Sequence, residues 1–307
     1  MSSREIVFLG TSSQVPTKTR NHNAMFLFWD DLGILFDPGE GTQRQMTLAG
    51  ISARRITHIA ITHFHGDHCL GLAGVIQRLS LDQAPHAVQV FFPASGQVFF
   101  DRLRNASIFY DAADIIPRPL KINGNEIVEL LKTDKFSLHA AALEHSVECY
   151  GYRLQEADGR SMVPAKLKEK GLAGPIVGQL QREGSVTINN DTVTLEDVSV
   201  VRHGQSVAVV MDTRPCTGSR LLAQGATLLV SESTYLKSES TEAHEHFHMT
   251  AEQAAQLARD AGVQQLAITH FSPRYTSHQD FVDEASSIFQ NVSVADDLVR
   301  VKIDRPS

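Results

Sequence analysis

The sequence has little of what a secreted or membrane protein carries. Its 307 residues include three cysteines, Cys69, Cys149 and Cys216, which lie far apart and form no C-x-x-C pair. An odd number of scattered cysteines argues against a disulfide scaffold and is typical of a reducing compartment. The sequence shows no apolar run near the roughly 18 residues of a membrane span and no signal-peptide pattern. We therefore expect a cytoplasmic protein with no membrane association.

Positive charge is also scarce. The chain has 28 Lys and Arg against 35 Asp and Glu, which gives a formal net charge of −7. This balance argues against a protein that binds nucleic acid through a generally basic surface. An anionic substrate would have to be held by local positive charge or by metal ions. The apolar fraction of 42% is ordinary for a soluble globular protein with a large core.

Strand-like runs alternate with helical segments in both halves of the chain. The helix predicted over 250–261 is the clearest, because Thr250 and Gln253 form a capping box and Gly262 follows its end. We predict an α/β fold, with two mixed sheets packed face to face and helices outside, as one domain over residues 1–307. The strand-like runs that support it are 6–9, 24–29, 34–36, 59–61, 88–92, 136–143, 150–154, 207–211, 227–230 and 266–269.

The densest group of potential ligands follows the strand-like run 59–61. The sequence THFHGDH places three histidines and one aspartate between positions 63 and 68, directly after the apolar run 59–61. Neutral imidazole and carboxylate groups suit Zn²⁺, and two sets of them can hold two ions. The pattern therefore predicts a metal site made of His63, His65, Asp67 and His68.

Three isolated residues at strand ends extend this site. His145, Asp212 and His270 each follow a predicted strand, and together with the cluster they complete two coordination sets. A carboxylate between two cations can share its oxygens, which favours Asp212 as the bridge. Two adjacent metal ions stabilise both the attacking and the leaving oxygen of a hydrolytic reaction. Cys69 follows the cluster directly, but we expect it to be a buried thiol.

Two further segments carry chemistry that the pattern alone does not assign. One of the histidines in the run 244–248, His244, His246 or His248, is a candidate catalytic residue beside a helix start. The segment from about 160 to 183 is locally basic and shows no evident buried face. It is either a solvated loop or a protruding arm that binds a polyanion through Lys166, Lys168 and Lys170. The remaining histidines, His22, His58, His86, His139, His203 and His278, have no ligand-like cluster around them.

The motif H-x-H-x-D-H after a strand resembles the hallmark of the metallo-β-lactamase superfamily. More narrowly, the chain is similar to the bacterial ribonuclease Z family of transfer RNA 3′-processing endonucleases over nearly its whole length. The narrower resemblance rests on stretches that flank the metal motif: LGT at 9–11, DPGEGTQRQ at 37–45, YGYR at 150–153, DTRPC at 212–216 and HFSPRY at 270–275.

This resemblance implies an αβ/βα four-layer sandwich, two Zn²⁺ ions per chain and a homodimer. It implies that His63, His65 and His145 hold one zinc ion, that Asp67, His68 and His270 hold the other, and that Asp212 bridges them. Asp67 would also position the attacking water, His248 would be the proton donor, and Glu232 would orient His248. The substrate-binding arm of the family falls on the segment 160–183.

The implied reaction is cleavage of precursor transfer RNA on the 3′ side of the discriminator nucleotide, which leaves a 3′-hydroxyl on the transfer RNA and a 5′-phosphate on the trailer. Three arginines suit phosphate contacts, although each could instead form a surface ion pair: Arg44, Arg214 and Arg274. The alternatives are a general dinuclear-zinc phosphodiesterase or exoribonuclease, and a non-catalytic RNA-binding protein stabilised by metal. One departure from the family is Ser231, which stands where the family has histidine. Another is an arm that looks compressed.

Overall fold

The computed structural model describes residues 4–188 and 191–304, and two seven-stranded sheets form its centre. In the first sheet, β1 to β3 are antiparallel neighbours, whereas β3 to β6 run parallel. In spatial order its strands are β18 (Arg300–Lys302), β1 (Glu5–Gly10), β2 (Ala24–Trp29), β3 (Leu32–Phe36), β4 (His58–Ala60), β5 (Val88–Pro93) and β6 (Ile115–Leu120).

The second sheet has a parallel half and an antiparallel half. Strands β14 to β17 run parallel, and β14 pairs with the antiparallel strand β9. In spatial order its strands are β17 (Val292–Val294), β16 (Gln265–Thr269), β15 (Leu228–Glu232), β14 (Ser206–Val210), β9 (Cys149–Glu156), β8 (Phe136–Leu143) and β7 (Ile127–Lys132).

The helices cover the outer faces of both sheets. Next to the first sheet lie α1 (Thr42–Leu48), α2 (Gly66–Cys69), α3 (Leu72–Leu81) and α4 (Gln97–Arg104). Next to the second lie α7 (Thr217–Ala223), α9 (Ala251–Asp260) and α10 (Gln279–Ser286), whereas the short helix α8 (Ser240–Glu245) lies in the connection between β15 and α9. The capping box of α9 is confirmed, because the Thr250 side chain accepts from the Gln253 amide and the Gln253 side chain accepts from the Thr250 amide.

Three apolar cores hold these layers together. One lies between the two sheets and contains Trp29, Tyr150 and Tyr152, all almost fully buried. The other two lie between each sheet and its helices. Burial of apolar area on this scale is the main stabilising contribution to such a fold. The predicted αβ/βα sandwich of two mixed sheets with outer helices is therefore confirmed.

A small separate unit is inserted between β9 and β14. It contains β10 (Gly159–Met162), α5 (Pro164–Glu169), α6 (Pro175–Glu183), β11 (Ser185–Ile188), β12 (Asp191–Thr194) and β13 (Ser199–Arg202). Strand β10 pairs with β13 at its base, and β11 pairs with β12. Its own core is built from Leu172, Leu180, Val186, Val193 and Val198. The expectation that this segment lacks a buried face was wrong, and the unit is wider than 160–183.

Among the described residues, none of the helices has the length and apolar character needed to cross a membrane.

Candidate metal centre

All seven predicted metal ligands meet at the edge where strands of both sheets end. His63 to His68 follow β4, and His145, Asp212 and His270 follow β8, β14 and β16. Strands β14 and β16 are parallel, and β8 runs in the same direction because both β8 and β14 are antiparallel to β9. Their carboxyl ends therefore open at one edge, which is where ligand-bearing loops converge in α/β proteins.

The first ligand set consists of three imidazole nitrogens and one carboxylate oxygen. His65 Nδ1 lies 3.0 Å from His63 Nε2 and 3.2 Å from His145 Nε2. Asp212 Oδ2 lies 3.7 Å from His63 Nε2 and 3.8 Å from His145 Nε2. Nitrogens at Zn–N distances of 2.0–2.1 Å in a tetrahedron are separated by about 3.3 Å. The spacing in this set matches that of ligands around one tetrahedral ion.

The second set lies on the other side of Asp212. His68 Nε2 is 3.2 Å from His270 Nε2, and Asp67 Oδ2 lies 3.5 and 3.6 Å from these two nitrogens. Asp212 Oδ1 is 3.4 Å from His68 and 3.2 Å from His270. This buried oxygen has no hydrogen-bond partner within the part of the chain that the structure describes. A cation would satisfy it, so one oxygen of Asp212 serves each set.

The second ring nitrogen of four of these histidines is held by a neighbour. Such contacts fix the tautomer and the ring orientation of a metal-binding histidine. The partners are Thr62 Oγ1 for His63 at 3.0 Å, Asp37 Oδ2 for His68 at 2.9 Å, the Phe247 carbonyl for His145 at 3.3 Å and Thr234 Oγ1 for His270 at 2.9 Å. These four rings thus present Nε2 to the centre, whereas His65 presents Nδ1.

The carboxylates of the centre are held in their charged form. Burial opposes ionisation of Asp212, but the neighbouring His270 and His68 outweigh it and hold its pKa well below the usual value. Burial likewise opposes ionisation of Asp67, and His68 and His270 again lower its pKa. Desolvation lowers the pKa of His63 well below its usual value, whereas Asp212, Asp67 and Asp37 outweigh burial and raise the pKa of His68. Histidine binds a cation in its neutral form, so a cation at the second set would replace the proton of His68.

Backbone strain accompanies the ligands. Asp212 has φ of 37° and His270 has φ of 65°, both in the left-handed region that is unfavourable for residues with a side chain. Each such residue costs on the order of 1–3 kcal/mol. Because both directly follow strands, the positive φ turns the chain sharply and directs the side chain into the centre.

His248 lies beside the ligands without completing either of the two sets. A ring nitrogen of His248 is within 4.8 Å of ligand atoms of Asp212 and His270. Its Nδ1 is 3.0 Å from Glu232 Oε1, and Glu232 is itself fully buried and accepts from the Thr213 amide. Burial lowers the pKa of His248, but the charge of Glu232 outweighs this effect and raises it to about 9. Glu232 thus fixes the orientation of the His248 ring through Nδ1.

The cationic residues predicted to bind substrate lie outside the two ligand sets. Arg44 is exposed on α1, and Arg274 is exposed with its guanidinium 5.1 Å from the centre of the Tyr235 ring. Arg214 is partly buried and hydrogen-bonded to protein neighbours. Their phosphate-binding role stays a prediction. The lysines of the inserted unit, on or next to α5, are all exposed: Lys166, Lys168 and Lys170.

Cys69 is buried, and burial raises the pKa of its thiol to about 12. It therefore stays a protonated thiol, as expected. His244 and His246 are exposed, unlike the buried His248. The ligand groups found among the described residues contain none of the histidines for which we expected no ligand role: His22, His58, His86, His139, His203 and His278.

Sequence reasoning missed the partners behind the ligands, above all Asp37. This fully buried carboxylate contacts Thr62, Asn23 and His68. The signal was an aspartate directly after the buried run 34–36, followed by Pro-Gly. The glycine matters as well, because a Cβ on Gly39 would lie 2.2 Å from the carbonyl oxygen of Asp67.

The chain is similar to known proteins in sequence and in fold. The family profile of the metallo-β-lactamase superfamily matches residues 17–152. Ribonuclease Z of Streptomyces coelicolor is 50% identical over 307 residues, which cover 99% of both chains. Ribonuclease Z of Chlamydia pneumoniae is 45% identical over 295 residues, which cover 96% of this chain and 95% of that one. The crystal structure of human tRNase Z, short form, has a similar fold, with a TM-score of 0.73, 24% identity, and 98% of this chain and 100% of that chain covered.

The fold and the two ligand sets define a metal-binding hydrolase of the metallo-β-lactamase superfamily. Within that superfamily, the chain is 45–50% identical to ribonuclease Z sequences over nearly its full length. It therefore belongs to the ribonuclease Z family.

Proposed function

We propose that this protein is a zinc-dependent endoribonuclease that cleaves precursor transfer RNA on the 3′ side of the discriminator nucleotide. The observation that carries the proposal is the pair of ligand sets sharing Asp212, in a chain that is 50% identical to a ribonuclease Z over its full length. The products would be a transfer RNA with a 3′-hydroxyl and a trailer with a 5′-phosphate.

We infer two Zn²⁺ ions per chain. Support comes from the donor types, nitrogen and carboxylate oxygen, and from spacings of 3.0 and 3.2 Å that suit tetrahedral coordination. When bound, two such ions lower the pKa of a coordinated water and neutralise charge on the phosphoryl oxygens. Elemental analysis of the protein purified without chelators should give two zinc ions per chain. Zinc bound at one per chain would contradict the use of both ligand sets.

The protein residues would contribute proton transfer and orientation. Asp67 accepts from the Gln14 backbone amide through Oδ2 at 2.8 Å, which would leave Oδ1 to orient the attacking water. Cleavage expels a ribose 3′-oxygen, which is a poor leaving group unless it is protonated. We infer that His248 donates this proton from Nε2 while Glu232 holds its Nδ1–H. A positioned general acid typically contributes about 10²–10⁴-fold.

His248→Ala tests the assignment on a labelled precursor transcript. We expect kcat to fall about 10²–10⁴-fold with bound zinc unchanged. His246→Ala is the matched control, because His246 is exposed and two residues away. Mapping the new 3′ end of the wild-type product tests the cleavage position. Near-wild-type turnover of His248→Ala would show that another group protonates the leaving oxygen.

We further infer that the inserted unit binds the transfer RNA. Its α5 region presents three exposed lysines in a chain of net negative charge, and phosphate contacts by lysine drive RNA binding. Gly159 and Arg202 are Cα partners at its base, so residues 160–201 can be replaced by a short turn. This variant should lose precursor cleavage and retain hydrolysis of bis(p-nitrophenyl) phosphate. Equal loss on both substrates would count against the inserted unit as an RNA-binding arm.

We also propose that the protein is a cytoplasmic homodimer, as the family resemblance implies. Light scattering coupled to size-exclusion chromatography tests the dimer, and a mass of one chain at micromolar concentration would contradict it. Cell fractionation tests the location.

A further inference from the structure

Arg214 connects three loops around the metal centre. Its Nε donates to the His244 carbonyl at 2.6 Å, and its Nη1 donates to Glu144 Oε1 at 3.1 Å. Its guanidinium carbon lies 3.9 Å from the centre of the Phe247 ring, within the range of a cation–π contact. The backbone of Arg214 also pairs with Glu144 in an isolated antiparallel bridge. Two directional hydrogen bonds and one stacking contact therefore engage this guanidinium.

Each of the three loops carries a residue of the site. Glu144 precedes His145, Arg214 follows Asp212 by two positions, and the loop after α8 leads into His248. Phe247 is the critical link in the last loop. It has a φ of 62°, and its carbonyl accepts from His145 Nδ1 at 3.3 Å. Fixing Phe247 thus fixes the position of the adjacent His248.

We propose that Arg214 is a positioning residue that holds His248 beside the centre through Phe247, instead of a ligand for substrate phosphate. This inference rests on the proposed function, since it assigns His248 the proton-donor role. Both hydrogen bonds of the guanidinium are to protein atoms, and its side chain is 20% exposed. A displacement of about 1 Å in such a group can lower the rate about 10²-fold.

The proposal predicts that lysine cannot replace arginine at position 214. Lysine retains the positive charge but cannot stack a planar group on Phe247 while donating to Glu144 and the His244 carbonyl. If Arg214 served only as a charge for phosphate, lysine would preserve much of its effect. Arg214→Lys and Phe247→Leu are therefore the informative variants, because neither removes positive charge. Arg220→Lys is the matched control, since Arg220 is exposed on α7.

The readout is the dependence of kcat on the leaving group. Two small phosphodiesters are compared, one with a p-nitrophenoxide and one with a phenoxide leaving group, because only the poorer one needs a proton donor. Arg214→Lys should lower kcat on the phenyl ester about 10–100-fold and on the nitrophenyl ester less than about threefold. KM should stay near the wild-type value. Phe247→Leu should shift kcat in the same direction by about 3–30-fold.

A double mutant provides the second test. Adding Arg214→Lys to His248→Ala should lower kcat on the phenyl ester no further, because positioning has no effect once the positioned group is absent. An additive loss would overturn the proposal, and so would a raised KM with unchanged kcat. The small esters keep this outcome separate from the RNA proposal. If wild-type protein fails to cleave precursor transfer RNA, the leaving-group comparison still decides the role of Arg214. Unchanged thermal unfolding temperatures confirm that each variant is folded.

Discussion

Replacing Asp37 by asparagine should weaken one metal site selectively. Asp37 Oδ1 accepts from the Thr62 amide at 2.7 Å. Its Oδ2 lies 2.8 Å from Thr62 Oγ1, 2.9 Å from His68 Nδ1 and 3.3 Å from Asn23 Nδ2. Asparagine matches aspartate in shape and tolerates the observed φ of 46°. The substitution therefore changes the chemistry of the site while leaving the backbone in place.

The consequence follows from the hydrogen-bond geometry. The asparagine oxygen would keep the bond from the Thr62 amide, so its NH₂ group would take the place of Oδ2. That group would face three donors, Thr62 Oγ1, Asn23 Nδ2 and His68 Nδ1. His68 could restore a bond by accepting at Nδ1, but its proton would then sit on Nε2, which lies 3.2 Å from His270 Nε2 in the second ligand set. Loss of such a partner lowers metal affinity about 10–100-fold, which corresponds to about 1.4–2.8 kcal/mol.

The assay is competition for zinc against a chromogenic chelator, followed by elemental analysis after dialysis. We expect one site to keep its wild-type affinity and the other to weaken, so that stoichiometry falls from two towards one. The free energy of unfolding of the metal-free protein should also fall by about 1–3 kcal/mol, because buried donors lose their acceptor. Asp134→Asn, at an exposed turn, is the control. Two zinc ions bound with unchanged affinity would refute the reasoning about Asp37.

Three further predictions concern the inserted unit and the metal. Changing Lys166, Lys168 and Lys170 to glutamine should weaken binding of precursor transfer RNA. Filter binding should show that the slope of log Kd against log salt concentration falls by up to about 3. An unchanged slope would exclude phosphate contacts by these lysines. Leu180→Ala should destabilise the unit by about 2–5 kcal/mol, seen as faster local hydrogen exchange with slow exchange retained in the sheets. EDTA should abolish hydrolysis and lower the unfolding temperature, and zinc should restore both.

The limits of the buried strands were the most predictable feature of the fold. Buried runs such as 24–29 and 266–269 are continuous apolar segments, and both form strands close to those limits. The sequence patterns did not predict the strands at the edges of the sheets. Strand β6 contains Pro117 and Pro119 and shows little alternation of buried and exposed residues. The two prolines are tolerated because an edge strand forms fewer hydrogen bonds with neighbouring strands. Helix α3 begins at Leu72, shortly after the short helix α2 ends at Cys69.

The core of the inserted unit could not be predicted from local patterns of apolar residues. Its core combines side chains from α6, β11 and β12 with Leu172 and Val198 from the connecting segments, so no single stretch carries a continuous apolar face. A segment scanned by itself therefore looks solvated although its buried residues pack together. The width of the unit was also hidden, because β10 and β13 pair across about forty residues of sequence.

The sequence by itself determined the chemistry. Three histidines and one aspartate in six positions identify a cation site, since their ligand type and spacing are local properties of the chain. Tertiary structure decided which atoms share an ion. Only the parallel strands β14 and β16 and the sheet-to-sheet packing bring Asp212 between two sets of nitrogens. Likewise Asp37, Thr234 and Phe247 became partners of the ligands through contacts between residues far apart in sequence, which no local pattern encodes.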